Sequence, residues 1–398
     1  MDKTEIEKFQ QDLLGWYNIH KKPLPWRKNT EAYSVWISEI MSQQTQVETV
    51  MPYYLRFMEK YPQIEDLAAA DDDELLKLWE GLGYYSRARN LKIAAQQVMT
   101  EFDGRFPNQL KDIQSLQGIG PYTAAAIASI SFGLPEPAID GNLMRVTSRL
   151  FEIESDISKA ASRKIFDEKL RELISEENPG DFNQALMDIG SMVCTPKIAK
   201  CEICPLAAYC QSRPKGTQLK YPVKSKKIKQ QHIYYNAYAL KNSQGEYYLQ
   251  RRPSTGLLAN MWTFPMQEIS KEEFNNDRLV PPTNVPDSIS RMTKVGEITH
   301  VFSHLKWFVQ IIECIPEENF IVQEEKLDEN QLWVKLTDLS KVALPTPQVK
   351  CLSFLKTSFH FINANVLLFW YNYRSLENRL FVNILSRSQN NGGNHDNY

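Results

Sequence analysis

The sequence has no net charge strong enough to indicate a partner, since its 46 basic residues balance 48 acidic ones among 398. Nucleic-acid binding would therefore have to rest on local clusters. Long apolar runs are also lacking: the one at 359 to 373 is interrupted by Asn363 and Asn365 and is too short to span a membrane. The N-terminal residues have no apolar core typical of a secretory signal or transit peptide. We expect an intracellular protein without a membrane partner, in the cytoplasm or nucleoid if its source is bacterial.

Cysteine is scarce, and its distribution is uneven. Of six cysteines, Cys314 and Cys351 stand apart, and the other four lie close together. The close set has the spacing C-x6-C-x2-C-x5-C and consists of Cys194, Cys201, Cys204 and Cys210. A metal site fits this pattern better than disulfides do. The pattern favours a 4Fe-4S cluster, which takes one cysteine per iron. The alternative is a structural zinc site, whose ligands more often form two separated pairs.

The apolar pattern changes once along the chain, which predicts two domains. Residues 1–212 have helical spacing, and residues 213–231 form a basic linker with prolines. Residues 232–356 are rich in aromatic and β-branched residues. They predict strands at 233–240, 246–250, 295–301, 305–313 and 331–335, with a hairpin turn at 242–245. Residues 357–398 end in a polar, glycine-containing segment and are expected to be partly disordered.

A glycine-containing turn between two predicted helices indicates a helix-hairpin-helix. Gly118 and Gly120 lie in the segment 116–120, and an alanine-rich helix follows. Glycines let the backbone approach a phosphate, so that amides at the start of the second helix can hold DNA without reading its sequence, often with a bound monovalent cation. The alternative is an ordinary turn between helices, which also favours glycine.

Two carboxylates stand out. Glu39 lies among large apolar residues, which should raise its pKa toward that of a general acid. Asp140 stands where the N-cap of the next helix belongs, and capping alone would explain it. Gln43 and Gln44 follow Glu39 on the same predicted helix, and their amides suit insertion into a base stack or hydrogen bonding to base edges.

Aromatic and basic residues alternate between residues 81 and 92. The segment contains Tyr84 and Arg87, a pairing typical of a nucleic-acid surface. A helix that merely packs its tyrosines is an equally good reading of this segment.

Together these segments resemble MutY-type adenine DNA glycosylases of the helix-hairpin-helix superfamily. The resemblance covers about residues 6 to 355. It is carried by LPWR at 24–27, WISEIMSQQTQV at 36–47, WEGLGYYSRARNL at 79–91, LQGIGPYTAAAI at 116–127, AIDGNLMRV at 138–146 and the four cysteines. It implies an all-α domain of two lobes with a 4Fe-4S loop, followed by an α+β Nudix-like domain. One lobe would comprise about residues 27–137, and both flanks would form the other.

The resemblance also implies roles for individual residues. Glu39 would protonate the adenine, Asp140 would stabilise the positively charged sugar, and Arg27 would line the base pocket. Gln44 and Tyr84 would fill the space left by the flipped nucleotide. The expected partner is double-stranded DNA with adenine opposite 8-oxoguanine or guanine, bound by a monomer.

The resemblance extends to the second domain. GLLANMWTFP at 256–265 matches the family pattern, although Asn260 stands where glycine is common. The acidic box of Nudix hydrolases is missing after Gly256, so this domain should recognise rather than hydrolyse. Phe302, Ser303 and His304 resemble the loop that the family directs at the damaged guanine. The resemblance implies that Phe302 stacks on or wedges between bases, and that Ser303 and His304 form hydrogen bonds with the altered edge of the guanine.

Two competing functions remain open at this stage. Endonuclease III-type enzymes share the hairpin and the cysteine spacing, but they lack the second domain and carry a lysine where this chain has Tyr122. Tyr122 therefore favours base removal without strand cleavage. A non-catalytic iron-sulfur protein that binds DNA would need neither Glu39 nor Asp140.

Overall fold

The computed structural model describes residues 1–225, 230–277, 279, 281–282, 289–316 and 329–357. Helices dominate up to residue 220 and strands dominate from residue 231, so the predicted change of class after the linker is confirmed. The predicted tail beyond residue 357 and the apolar run at 359 to 373 lie outside the described residues. In the described part of the chain, no helix is long and apolar enough to cross a membrane.

The helices of the first domain follow one another with short connections. They are Lys3–His20 (α1), Ala32–Ser42 (α2), Val47–Lys60 (α3), Ile64–Ala68 (α4), Asp72–Leu78 (α5), Ser86–Glu101 (α6), Leu110–Ser115 (α7), Pro121–Phe132 (α8), Gly141–Phe151 (α9), Ser162–Arg171 (α10), Pro179–Met192 (α11) and Ser212–Lys215 (α12). Sequence signals explain several ends. Asp2 caps α1 through a capping box with Glu5, and Gly133 ends α8 in the left-handed conformation.

Two separate cores divide this domain into the predicted lobes. One core is formed by α2 to α8 and includes the fully buried Trp36 and Trp79. The other joins α1 to α9, α10 and α11, with Phe9 packing against Phe182. Because α1 crosses to the second core, the chain forms one lobe from its middle and the other from both flanks. The cleft between the lobes is where residues from the two lobes can meet.

The second domain contains two sheets. Its strands are Gln231–Leu240 (β1), Glu246–Arg251 (β2), Trp262–Thr263 (β3), Met266–Ile269 (β4), Ile289–Val301 (β5), Leu305–Pro316 (β6) and Gln331–Lys335 (β7). One sheet has the order β4-β1-β6-β5, with β1 and β6 parallel, and the other has the order β3-β2-β7. Helices Lys271–Asn275 (α13) and Thr346–Thr357 (α14) complete the predicted α+β domain. The five predicted strands are present, whereas β3 and β4 are too short to show a sequence pattern.

The GLLANMWTFP segment docks the second domain on the first. Met261 is buried in the core of the first lobe, and the Ala259 carbonyl accepts a hydrogen bond of 2.7 Å from Arg89. Arg251 pairs with Asp73 nearby. Asn260 has a φ of +59°, a conformation that favours glycine and that asparagine tolerates better than most residues. This explains why asparagine can replace glycine at this position.

The structure describes most of the predicted basic linker, residues 213–225. These residues include the end of α12 and a 3-10 turn at Gln218–Lys220, and they lie against the first domain. The Val223 carbonyl accepts a hydrogen bond of 3.0 Å from the Ile157 amide. The basic composition that predicted a linker therefore also occurs in a segment that packs on the helices.

Candidate active site and DNA-facing surface

Glu39 lies on α2 beside the cleft between the lobes. Its carboxylate accepts a hydrogen bond of 2.6 Å from the Tyr122 hydroxyl, and the Met187 sulfur lies 3.9 Å from the same hydroxyl. Part of the Glu39 side chain remains accessible to water, but dense protein surrounds its carboxyl group. Burial raises the pKa of Glu39, the Tyr122 hydrogen bond opposes this rise, and the nearby charge of Asp140 adds to it. Glu39 is therefore a carboxyl group that can hold a proton.

Asp140 is the N-cap of α9, as its position in the sequence predicts. Its carboxylate accepts hydrogen bonds of 2.7 Å from the Leu143 amide and 2.7 Å from the Asn142 side chain. Burial raises the pKa of Asp140, while these hydrogen bonds and the charge of Arg145 oppose the rise. More hydrogen bonds therefore stabilise the negative charge of Asp140 than that of Glu39. Capping and catalysis are compatible, because the cap fixes a carboxylate beside the cleft.

Arg27 forms a two-pronged ion pair with Asp188. Its two terminal nitrogens donate to the two carboxylate oxygens at 2.8 and 3.0 Å, and only 13% and 8% of the two side chains are exposed. The guanidinium also lies over the Tyr17 ring, 5.6 Å from its centre. The positive charge of Arg27 acts on Glu39 and lowers its pKa. Arg27 is thus close enough to Glu39 for its charge to act on that carboxyl group, and Asp188 on α11 holds it there.

A chain of hydrogen bonds runs from Asp140 toward the cysteines. Asn142 donates to Asp140 and accepts a hydrogen bond of 2.8 Å from Arg145. Arg145 in turn donates to the Cys194 carbonyl at 2.9 Å. Sequence analysis missed these positioning residues, together with Asp188. Their one local signal is the i, i+3 spacing of Asn142 and Arg145 at the start of α9.

A surface cavity beside the hairpin gathers five of the predicted DNA-binding residues. Gln43, Gln44, Tyr84, Arg87 and Gly118 all line it. Gln44 and Tyr84 are exposed and have positive φ angles of 57° and 49°. Residues other than glycine adopt this conformation rarely, and it is common at functional sites. Gln44 and Tyr84, which are predicted to fill the space left by the flipped nucleotide, therefore lie on the same surface. Both have a backbone conformation that is costly to maintain.

Two expectations about this surface need correction. Gln43 and Gln44 lie in the turn after α2, which ends at Ser42, and not on the same helix as Glu39. Arg87 is only 8% exposed, and its guanidinium donates to backbone carbonyls around it, including those of Ile40, Met41, Gln43, Leu82 and Gly83. Arg87 therefore holds the turn in place instead of presenting its charge to DNA. Of the aromatic and basic residues in this segment, Tyr84 is the exposed aromatic one.

The hairpin between α7 and α8 has the geometry that its glycines predict. Gly118 has a φ of +79°, and a Cβ atom there would lie 2.7 Å from the Cβ of Asn90. Gly120 is the N-cap of α8 and has an extended backbone conformation. As at the start of any helix, the first amide groups of α8 have no hydrogen-bond partner within the helix. These amides are available to an anion such as a DNA phosphate.

The loop between β5 and β6 contains the predicted recognition residues. Ser303 and His304 are exposed, and their side chains lie 3.3 Å apart. Phe302 is partly buried, because its ring packs edge-on against His300 and Trp307 with ring centres 4.6 and 4.8 Å away. The ring of Phe302 therefore anchors the loop within its own domain, and its stacking or wedging against bases stays a prediction. The two polar side chains face solvent.

The four close cysteines line one cavity, together with Arg213 and Gln218. In the part of the chain that the structure describes, no three cysteine, histidine or acidic side chains converge closely enough to hold a single metal ion. The four cysteines surround one cavity, which suits a group with one cysteine per iron. The residues present therefore fit a 4Fe-4S cluster.

Both domains of this chain match known protein families. The HhH-GPD superfamily of base excision DNA repair proteins matches residues 37–172, and the NUDIX domain matches residues 236–354. An adenine DNA glycosylase of Arabidopsis thaliana is 34% identical over 357 residues, which are 76% of this chain and 56% of that protein. One of Buchnera aphidicola subsp. Schizaphis graminum (strain Sg) is 33% identical, over 87% of this chain and 99% of its own. The chain belongs to the adenine DNA glycosylase family.

Adenine DNA glycosylases are hydrolases of base excision repair that cleave the N-glycosidic bond. The expected hairpin domain and Nudix domain are both confirmed by the matches. A solved thymine-DNA glycosylase, described as thermostable, is 30% identical over 54% of this chain and 100% of its own, with a TM-score of 0.49. Relatives that match across both domains favour the adenine glycosylase family over the competing endonuclease III reading.

Proposed function

We propose that this adenine DNA glycosylase removes adenine opposite 8-oxoguanine or guanine, with Glu39 as the general acid and Asp140 as the stabiliser of the sugar cation. The supporting observation is a pair of carboxyl groups at one cleft with unequal surroundings. Asp140 accepts hydrogen bonds from Leu143 and Asn142, whereas Glu39 accepts one from Tyr122. Enzymes commonly break glycosidic bonds with two carboxyl groups that differ in proton affinity.

The reaction follows from these two groups. Glu39 gives its proton to a ring nitrogen of adenine, and the electron pair of the N-glycosidic bond leaves with the base. The positive charge that develops on the sugar is stabilised by the Asp140 carboxylate. Water then adds to the sugar carbon, and its released proton returns to the carboxylates. Neither Glu39 nor Asp140 is consumed.

Strand cleavage is not part of the proposed activity. A Schiff base with the opened sugar requires an amine, and Tyr122 offers a phenol beside Glu39. The expected product is an abasic site in an intact strand. Efficient cleavage without heat or alkali would contradict this proposal.

A base inside a duplex cannot reach both carboxyl groups, so the adenine must be flipped out. Gln44 and Tyr84 are the candidates to occupy the vacated space, because both are exposed at the cavity beside the hairpin. The first amides of α8 would hold a phosphate of the same strand, with or without a bound cation. Gln43 donates to the Thr123 hydroxyl at 3.2 Å and ties this turn to α8.

The base opposite adenine must also be read, because adenine in a normal pair has to be spared. Oxidation at C8 of guanine adds an oxygen acceptor and turns N7 into a donor. Ser303 and His304 are exposed polar side chains that suit this altered edge, and Phe302 holds their loop in place. We assign recognition of the damaged guanine to these two side chains.

A 4Fe-4S cluster held by the four close cysteines completes the proposed enzyme. The cluster would anchor the loop that follows α11 and fix α9 from behind through Arg145. No step of the proposed base removal passes through it. Brown protein with about four irons per chain is the expected result of purification, and colourless protein with one zinc would contradict it.

The central test compares duplexes that carry a single adenine opposite 8-oxoguanine, guanine or cytosine. Glu39→Gln and Asp140→Asn should each lose most single-turnover excision while still binding the mispaired duplex, because both groups act mainly in the transition state. Glu31→Gln is the matched control, since Glu31 is exposed at the start of the same helix as Glu39 and makes no capping hydrogen bond. Wild-type rates in both active-site variants would refute the proposed mechanism.

A further inference from the structure

The segment after the last close cysteine packs closely on the first domain. We call residues 211–225 the docked linker. Its first amide, of Gln211, donates to the Leu150 carbonyl at 2.9 Å, and the Thr217 hydroxyl donates to Glu152 at 2.6 Å. The Ser225 amide donates to Asp156 at 3.3 Å. The docked linker is thus attached at its start to the last turn of α9, and at its middle and end to the connection between α9 and α10.

Two contacts join the docked linker to the sulfurs of the cysteine site. The Gln218 amide nitrogen lies 3.4 Å from the Cys201 sulfur and donates to it. Arg149 donates to the Cys194 sulfur at 3.2 Å and to the Tyr221 carbonyl at 3.1 Å. Arg149 is only 2% exposed, and no carboxylate pairs with it in the described part of the chain. Arg149 also donates to the Thr195 carbonyl at 2.8 Å, and metal-bound thiolates would add a negative partner for its buried charge.

The chain after the docked linker continues to the recognition loop. The Gln230 side chain donates to the Phe302 carbonyl at 3.0 Å, and the Gln231 amide donates to the His304 carbonyl at 3.1 Å. From Ser225 to Gln230 the chain advances five residues, which can span at most about 17 Å. An anchored end at Ser225 therefore restricts where the residues that hold the recognition loop can lie.

We propose that the docked linker is one wall of the cysteine site and couples occupancy of that site to the recognition loop. This inference rests on the proposed 4Fe-4S cluster. Gln218 is the positioning residue: its amide would donate to the Cys201 thiolate when the site holds the cluster. A metal-bound thiolate accepts a hydrogen bond more strongly than a neutral thiol does. Loss of the cluster therefore weakens the attachment of the docked linker to the first domain. Through Gln230 and Gln231, it also loosens the recognition loop.

The test uses the full-length, loaded protein with Gln218→Leu and Gln218→Glu. Leu219→Ala is the matched control, because Leu219 lies on the same turn and is 68% exposed. The first measurement is the reduction potential of the cluster, which falls when a hydrogen bond to a cluster sulfur is lost. The second is hydrogen-deuterium exchange of residues 213–225 and 230–240, before and after oxidative removal of the cluster from the wild type.

We expect both Gln218 variants to retain four irons, with a lower potential and exchange of residues 213–225 that is at least about five-fold faster. The glutamate variant should show the larger change, because its carboxylate repels the thiolate. Cluster removal from the wild type should speed exchange in both segments. Unchanged potential and exchange in the Gln218 variants, with four irons present, would overturn the coupling alone. Wild-type protein without iron would refute the cluster and the coupling together.

Discussion

Replacement of Tyr122 by phenylalanine tests the assignment of Glu39 as the general acid. The Tyr122 hydroxyl donates a hydrogen bond of 2.6 Å to Glu39 and so stabilises the charged carboxylate. Burial raises the pKa of Glu39, and this hydrogen bond opposes the rise. Tyr122→Phe should therefore raise the pKa of Glu39 further. Because the general acid must be protonated, base removal should persist to higher pH in the variant.

The size of the effect follows from the kind of hydrogen bond that is lost. A hydrogen bond to a charged group contributes about 1.5–3 kcal/mol. Since about 1.4 kcal/mol corresponds to a factor of ten in an equilibrium, the protonation equilibrium of Glu39 should shift by about ten-fold or more. This shift applies to the alkaline side of the pH profile, where the wild type loses its proton.

The assay is single-turnover excision of adenine opposite 8-oxoguanine across the pH range. Tyr33→Phe is the control, because the Tyr33 hydroxyl donates to the Tyr61 carbonyl at 2.8 Å within the first lobe. The control should keep the wild-type pH profile even if its overall rate changes. An alkaline limb that stays in place or moves to lower pH in Tyr122→Phe would refute Glu39 as the group that titrates.

Three further changes test other parts of the site. Asp188→Asn leaves the buried Arg27 charge without its partner, so urea unfolding should show a loss of about 3–5 kcal/mol, and an unchanged midpoint would contradict the ion pair. The double variant Ser303→Ala, His304→Ala should lose about 1–3 kcal/mol of preference for 8-oxoguanine over guanine while retaining excision, measured as a ratio of rates. Gly118→Ala should weaken duplex binding, because its φ of +79° is unfavourable for alanine; wild-type affinity by titration would refute the role of the hairpin.

Local patterns explain why much of the fold was predictable. Helical spacing, strand alternation and caps act over a few residues, so the change of class near residue 231 and the cap at Asp140 could be read from the chain. The cysteine spacing gave the candidate metal site on the same basis. Asn260 is also explained locally, because the turn itself requires a left-handed backbone conformation at this position.

Other predictions failed because they depended on where a side chain points or where a helix ends, which a local sequence pattern does not always record. Arg87 belongs to a segment rich in aromatic and basic residues, but its side chain points inward and holds carbonyls of two turns. The end of α2 at Ser42 was missed because no glycine or proline marks it.

The sequence by itself determined the candidates for the chemistry: Glu39, Asp140, the hairpin glycines and the four cysteines. Only the tertiary structure decided how they are arranged. Arg27 and Asp188 are 161 residues apart, and Gln218 reaches Cys201 across a loop whose course no periodicity records. Such contacts depend on the path of the whole chain, because two side chains distant in sequence meet only after the cores that carry them have packed. Propensity and spacing act locally, and they therefore leave these pairings open.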